Sequence, residues 1–524
     1  LNGKRENNMQ KSKPALNTKT IMGTHWKPGL TGKLGALVLA GLFAFSFTQE
    51  AEESDYYQIE TFSTEELPME VGAMTLMSDG NLLVGTRRGD VYVLENPYGD
   101  PASAVFRPWA RGLAQPLGFL EHNGWIYTAQ RGELTRIKDS NGDGKADIFE
   151  TVCDAWDISG NYHEYNFGPR MDKEGFMWIT LNKPFGGQPY ADPEVKQAHW
   201  RGWAVRVNPE TGEMFPMAAG LRSPAGVEDS PWGDIFYTDN QGEWCNASKL
   251  SHLEFGDYHG HPWGLPTQKL AGAPFETMPQ PISGTFMKDM HQQIPQFKMP
   301  AVWFPYDKMG KSPSGLRWDL TDGKFGPYAG QLFVADQHHA TVMRVNLENV
   351  DGHWQGACFP FREGFQCGII RICFGSDASL FVGMSNAGWG GRGNRPWGLQ
   401  RLKWTGKIPF EVHEMKAQPD GFKLTFTEPV NPEAAANLDS YKMESYTYRL
   451  ESRYGGPEDD KKEVKITHAQ VSKDGMSVRI KIDPIRAGYV HELHMEGLTS
   501  KKGDSLLHDE AYYTLVNIPT DAHL

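Results

Sequence analysis

The sequence predicts an all-β chain: a six-bladed β-propeller followed by a smaller β-sandwich of immunoglobulin or fibronectin type. The first observation behind this is a repeated pattern. Six apolar, strand-like runs, LLVGTRRG, WIYTAQRGE, FMWITLNKP, DIFYTDNQGE, QLFVADQHHA and SLFVGMSNAGWG, each end in a small residue and then break into polar side chains. The second is spacing. The anchor residues Thr86, Ala129, Thr180, Thr238, Ala335 and Gly383 mostly lie roughly 43 to 58 residues apart, near the period of four-stranded blades, with one gap of about 97 that must hold an insertion. The third is composition: 57 Gly and 34 Pro in 524 residues, with hardly any helical periodicity, favour short strands and tight turns.

Residues 1–48 read as a leader and signal peptide. A basic stretch from Lys27 to Lys33 precedes the apolar segment Leu34 to Phe47 and then TQEAEESD, the profile of a secretory signal rather than of a membrane span. Met22 is a candidate start, and the expected mature protein begins near residue 49 and is exported, periplasmic or extracellular. The propeller is expected over 55–408. In each blade an inner strand precedes the anchor run (AMTLMSDGN, PLGFLEHNG, YNFGPRMDKEG, PAGVEDSPWG, PSGLRWD, IIRICFGSDAS) and a third strand follows it (DVYVLE, ELTRIK, GWAVRV, KLSHLE, TVMRVNL, LQRLKW). The long gap holds a rim insertion, 266–311, whose stretch from Lys269 to Pro300 has Pro, Gly and Met without strand alternation and reads as an excursion or lid. After Trp404-Thr405-Gly406 the segments FKLTFTEPV, SVRIKID and YVHELHM alternate apolar and polar residues, so 410–524 reads as a separate sandwich with GGPEDDKKE as a solvated hairpin tip.

A net charge of −13 argues against nucleic acid as a partner, because binding it needs a basic footprint. Five cysteines leave at least one unpaired; Cys358 and Cys367 are the candidate bridge in an exported protein. No C-x-x-C-H occurs in the sequence, so it carries no covalent haem motif.

Two groups of residues suggest chemistry. Asp139, Asn141, Asp143, Lys145, Asp147 and Glu150, with Gly144 at the sixth position, satisfy the calcium-loop pattern of oxygen donors around a glycine turn, and the preceding ELTRIK makes this a strand-linked structural loop. The second group is the polar set after each anchor, including Arg87, Arg131, Asn182, Lys183, Asp239, Gln241, His338 and His339. Equivalent turns of all blades converge on one axis, so these side chains are expected to share a cationic funnel suited to an anionic, planar or polyhydroxylated ligand. The turns entering the inner strands add His163, Arg222 and Arg371, with His163 the candidate general base. His252, His259 and His261 are a weaker candidate for a transition metal; a turn-rich excursion explains them equally well.

HEYNFGPRMDKEGFMWIT, GLRSPAGVEDSPWGDIFYTDNQGE and ADQHHATVMRV resemble the repeated signatures of the glucose/sorbosone dehydrogenase superfamily. QRGELTRIKDSNGDGKAD, SKLSHLEFGDYHGHP and GWGGRGNRPWGLQRLKWTG are similar to large exported propeller proteins of Planctomycetes described as membrane-bound dehydrogenases. The resemblance implies a six-bladed propeller using pyrroloquinoline quinone and Ca²⁺. It aligns His163 with the family's catalytic base and Arg222 with the Arg of an Arg-Asn-Pro cofactor contact, Ser223 standing in place of the Asn. Asp239 and Gln241 fall among the calcium and quinone contacts, where Gln-Gly-Pro is here Gln-Gly-Glu; His338 falls near a quinone-binding Lys and Arg371 near a quinone-binding Arg. The expected activity is a quinone-dependent oxidation of a sugar or related alcohol, with electrons passed to a separate acceptor such as a cytochrome. A cofactor-free lyase or hydrolase acting on an acidic sugar, and a non-catalytic glycan-binding propeller, stay open as alternatives.

Overall fold

The computed structural model describes residues 51–64, 67–185, 198–388 and 390–521. The expected leader, 1–48, lies outside the described residues. Among the described residues the chain is mostly β with a few short helices, and no helix is long and apolar enough to cross a membrane.

Each anchor run forms the second strand of a four-stranded antiparallel unit. The first unit runs through Val71–Leu76, Leu82–Thr86, Val91–Glu95 and Val105–Ala110, and the second through Leu120–His122, Trp125–Ala129, Leu134–Lys138 and Ile148–Cys153. The third comprises Asn166–Met171, Met177–Leu181, Trp203–Val207 and Met214–Ala219. The fourth comprises Pro224–Asp229, Ile235–Asp239, Ser248–Leu253 and Val302–Phe304. Pro313–Trp318, Leu332–Asp336, Thr341–Val350 and His353–Arg362 follow, then Ile369–Phe374, Leu380–Ser385 and Trp397–Trp404. The fourth strand of this last unit comes from the other end of the chain: Tyr57–Thr61 pairs with Trp397–Trp404, from Tyr57 opposite Trp404 to Thr61 opposite Gln400.

The first strands pack against one another in succession, and the contacts are close enough to require glycine. A Cβ on Gly118 would lie 2.6 Å from the Gly168 carbonyl oxygen, one on Gly226 would lie 2.3 Å from that of Ser314, and one on Gly315 would lie 2.9 Å from that of Ile370. The last unit meets the first where Gly383 faces the Val71 side chain. Neighbouring sheets are wedged apart by large side chains such as Trp203, Trp303 and Tyr237, all fully buried.

The segments beyond residue 410 are not an isolated appendage. Glu510–Leu515 pairs with the outer strand His353–Arg362, Gly356 opposite Thr514, so the fifth unit continues through Tyr489–His494 and Lys442–Thr447 as one eight-stranded sheet. A second sheet of Val412–Gln418, Gly421–Phe426, Ser477–Asp483 and Lys465–Val471 shares a core of Phe422, Leu424, Ile480 and Tyr513 with Ala357 and Phe359 of the fifth unit. The edge strand is thereby covered rather than exposed.

The insertion is pinned to this same region. Thr285–Phe286 pairs with Arg449–Leu450, the Arg449 guanidinium sits 3.7 Å from the Phe286 ring centroid, and Met287, Met290 and Ile294 are buried. All five cysteines are free and buried, so the candidate Cys358–Cys367 bridge is absent. The three histidines form no metal centre: His252 pairs with Asp234 at 3.1 Å, His261 Nδ1 accepts the Trp263 amide at 3.0 Å, and both ring nitrogens of the buried His259 lack a partner.

Candidate functional site

A cavity of about 260 Å³ opens where the first strands begin and the second strands end. This is the rim where the sequence placed its polar turns. Arg87, Asn182, Asn240 and Gln337, which follow second strands, line it together with Arg222, Ser223, Ser312 and Arg371 at the entries to first strands. Four cations, Arg87, Arg222, Lys311 and Arg371, stand in the wall, and among the described residues no carboxylate does.

The entry turns are held by aspartates that close the second strands. Asp239 accepts the backbone amides of Arg222 at 3.0 Å and Ser223 at 2.7 Å, and Asp336 does the same for Lys311 at 2.7 Å and Ser312 at 2.8 Å in the next unit. Burial raises the pKa of Asp239 against the opposing pull of Lys249 and these two amides. The carboxylate is fully buried and outside the cavity wall. Asp239 therefore clamps the backbone that presents Arg222 and Ser223.

His163 lies at the cavity among Phe185, Tyr165 and Tyr162, with ring centroids 5.1, 5.6 and 6.0 Å away. Its Nδ1 is 3.0 Å from the Lys183 carbonyl oxygen, which can only accept, so the proton belongs on Nδ1 and the Nε2 lone pair is free to accept. The Ser223 hydroxyl lies 3.3 Å from that Nε2, and Asn182 Nδ2 donates to the same hydroxyl at 3.3 Å. Burial, reinforced by the Arg222 and Lys183 charges, lowers the imidazole to about 4, so it is neutral at physiological pH.

Glu243, which the sequence singled out only as a departure from Gln-Gly-Pro, ties the cations together. It pairs with Lys183, accepts from Arg222 Nη2 at 3.1 Å and approaches His261 Nε2 at 3.9 Å. Burial alone would raise its pKa, yet His261, Arg222 and Lys183 hold it far below the usual carboxylate range. Burial lowers Lys183 despite that partner. Arg222 keeps a buried Nε with no hydrogen-bond partner. Arg87 donates to the Ala387 carbonyl and, at 3.2 Å, to the Tyr165 hydroxyl; it makes no ion pair among the described residues. Tyr454, from the C-terminal strands, completes the wall 5.2 Å from the Arg222 guanidinium. No local pattern marked Tyr454, because its partners lie in a distant part of the chain.

The other expected contacts divide between the cavity wall and its surroundings. Arg371 lines it but donates to the carbonyls of Leu117, Ala225 and Ile370, and burial lowers it to about 9; its role is to tie first strands together. Gln241 lines it with its amide committed to the Asn246 carbonyl at 2.9 Å. Arg131, His338 and His339 are outside: Arg131 reaches the Asn161 carbonyl, His338 the Gly390 carbonyl at 2.7 Å, and His339 lies 3.5 Å from Asp307. Converging turns therefore did not guarantee converging side chains.

The 139–150 loop holds its own oxygens. Asp139 accepts the amides of Gly142 and Gly144 at 2.8 Å, Asn141 that of Asp143, Asp143 that of Lys145, and Asp147 the amide and hydroxyl of Ser140. Glu150, expected to close the loop, lies on Ile148–Cys153 and accepts from Arg136 at 2.8 Å.

A family model described as a domain of unknown function (DUF7133) matches residues 52–302. No curated protein matches the chain in sequence. Among the solved structures similar to it is an oxidoreductase (glucose dehydrogenase) from Thermus thermophilus, 16% identical, with 66% of this chain and 99% of that chain covered and a TM-score of 0.47. A PQQ-bound aldose sugar dehydrogenase from Streptomyces coelicolor is 13% identical, covers 66% and 98%, and gives a TM-score of 0.43. A Trichoderma reesei carbohydrate-active enzyme of family AA12 is 13% identical, covers 68% and 97%, and gives a TM-score of 0.49.

Proposed function

We propose that this chain is an exported, dehydrogenase-like oxidoreductase that oxidises a sugar or related alcohol at the rim of a six-bladed propeller, with the C-terminal strands forming an immunoglobulin-like sandwich beside it. The observation that carries the reading is the pairing of a neutral, cavity-facing His163 with a wall of four cations and, among the described residues, no carboxylate. Two of those cations, Arg87 and Arg371, have no ion-pair partner among the described residues, and Arg222 keeps an unpartnered buried Nε. A planar quinone bearing carboxylates, of the pyrroloquinoline type, fits such a wall. Arg87 and Arg222 would hold its carboxylates, and Phe185, Tyr165 and Tyr454 offer flat apolar faces. Asp239 would serve this site through the backbone, each of its oxygens accepting one amide of the Arg222–Ser223 turn.

The chain's own residues do the rest. The Lys183 carbonyl fixes the His163 tautomer, so Nε2 removes the proton from the substrate hydroxyl. Phe185, Tyr162 and Tyr454 restrict water around it. When bound, the quinone supplies the two-electron acceptor for the hydride leaving the same carbon. A separate cytochrome is the proposed next electron acceptor. Ca²⁺ is proposed as a structural ion of the loop through Asp139, Asn141, Asp143, Asp147 and the Lys145 carbonyl, with Glu150 left on Arg136.

The test is titration of purified protein with pyrroloquinoline quinone, with and without Ca²⁺, followed by dye reduction across a sugar panel. Saturable spectral change and turnover are expected; neither appearing rejects the reading. The same cationic wall favours a second reading, elimination or hydrolysis of an acidic sugar without cofactor, which ultraviolet-absorbing unsaturated products from uronic polysaccharides would reveal.

A further inference from the structure

We propose that the cavity also carries a hydrolytic activity, with Ser223 as nucleophile and His163 as its base, opening lactones or esters of polyhydroxylated acids. This goes beyond the oxidation reading and needs no quinone. The arrangement has the three parts that an activated serine requires. The Ser223 hydroxyl lies 3.3 Å from His163 Nε2. The base is oriented from behind by the Lys183 carbonyl, 3.0 Å from Nδ1, in the tautomer that can take a proton. Next to the nucleophile in sequence, Arg222 stands in the same wall as a cation for the oxyanion that forms.

The side chains around Ser223 hold it for this step. The Asp239 clamp fixes its backbone amide at 2.7 Å, and Asn182 Nδ2 donates to the hydroxyl at 3.3 Å, leaving the hydroxyl proton to point at the imidazole. Ser223 is 4% exposed yet lines the cavity, so it meets a bound ligand rather than bulk water. If Ser223 served only to fill space, neither its distance to Nε2 nor the free lone pair there would matter.

The serine oxygen adds to the carbonyl carbon while its proton passes to Nε2. The bond from that carbon to the ring or alcohol oxygen breaks, and this oxygen takes the proton from Nε2, leaving an acyl-serine. Water then adds with its proton passing to Nε2, and the serine oxygen leaves and recovers it. The net reaction is lactone plus water to hydroxy acid. Oxidation of a cyclic hemiacetal yields a lactone, so a ligand of this class can arise in the same cavity.

The experiment uses the whole chain without added quinone. A fluorophosphonate probe is followed by intact mass and peptide mapping, and the opening of glucono-1,5-lactone by a pH indicator above its spontaneous rate. One adduct per chain on Ser223 is expected, absent in Ser223→Ala and at least about 100-fold slower in His163→Gln, with lactone opening falling in parallel. Ser223→Cys guards against a folding artefact: the introduced thiol should be alkylated by iodoacetamide faster than the five buried native cysteines, and that advantage should vanish in combination with His163→Gln. No adduct on Ser223, lactone opening at the wild-type rate in Ser223→Ala, or alkylation at that position that ignores His163 overturns the proposal.

Discussion

Tyr454 stands with its ring 5.2 Å from the Arg222 guanidinium, so a residue of the C-terminal strands forms part of a cavity built on the ring of sheets. Glu243 bridges the same two regions, since its backbone pairs with that of Tyr454 while its carboxylate holds Arg222 and Lys183. The C-terminal strands therefore shape the ligand site as well as covering a sheet edge. Tyr454→Ala should weaken quinone binding about 3- to 10-fold, roughly 1 kcal/mol for a cation–aromatic contact, with little change in thermal midpoint. Isothermal titration alongside calorimetric melting separates the two effects.

Glu243→Gln leaves Lys183 and Arg222 buried without a counter-charge. A loss of about 3 kcal/mol is expected, because removing one partner of a buried pair strands the other. Urea unfolding measures it. An anionic ligand should restore more stability to this variant than to the parent, as the ligand then neutralises Arg222 in the cavity wall.

His163→Gln should lower turnover by about 10²–10⁴-fold with little effect on folding. The base is active when neutral, and burial with its cationic neighbours sets its folded pKa near 4. The rate should thus hold level from neutral pH down to about 5 and fall as pH drops through 4. A profile that instead falls near 6.5 would show that an anionic ligand, by cancelling the Arg222 and Lys183 charges, returns the imidazole to its ordinary range.

His508 makes the opposite case. Burial opposes its charge, but Glu411 at 2.6 Å and Glu53 at 2.9 Å outweigh burial and raise it to about 10. Its pKa is raised on folding, so its contribution is full below about 6.5 and disappears as pH climbs through 10. Because Glu53 precedes the ring-closing strand Tyr57–Thr61 and Glu411 precedes Val412–Gln418, this imidazolium fastens both to residues 507–510. The thermal midpoint should decline between pH 7 and 10.5, and His508→Gln should flatten that decline while costing about 2–3 kcal/mol at neutral pH.

Much of the scaffold was readable because strands announce themselves locally. Leu82–Thr86, Ile235–Asp239 and Leu332–Asp336 are short apolar runs bounded by turn residues, and their repetition carries the architecture. The places of His163 and Arg222 at the cavity follow from the same local pattern, since each sits in a turn entering a first strand. Arg131 and His338 follow second strands and Arg371 lies in the first strand Ile369–Phe374, and where each side chain points depends on the neighbouring sheet. Free carbonyls of Leu117 and Ala225 capture Arg371, and that of Asn161 captures Arg131.

The sequence by itself determined the β class, the repeated four-stranded unit and the end of each unit where polar turns collect, since alternation and turn chemistry act over a few residues. Only the tertiary structure decided that Asp239 clamps backbone amides, that Ser223 meets His163, that Glu243 neutralises two cations and that Tyr454 walls the cavity. These depend on side chains from distant segments competing for the same buried hydrogen bonds and charges, and burial makes each unsatisfied partner costly enough to select one arrangement.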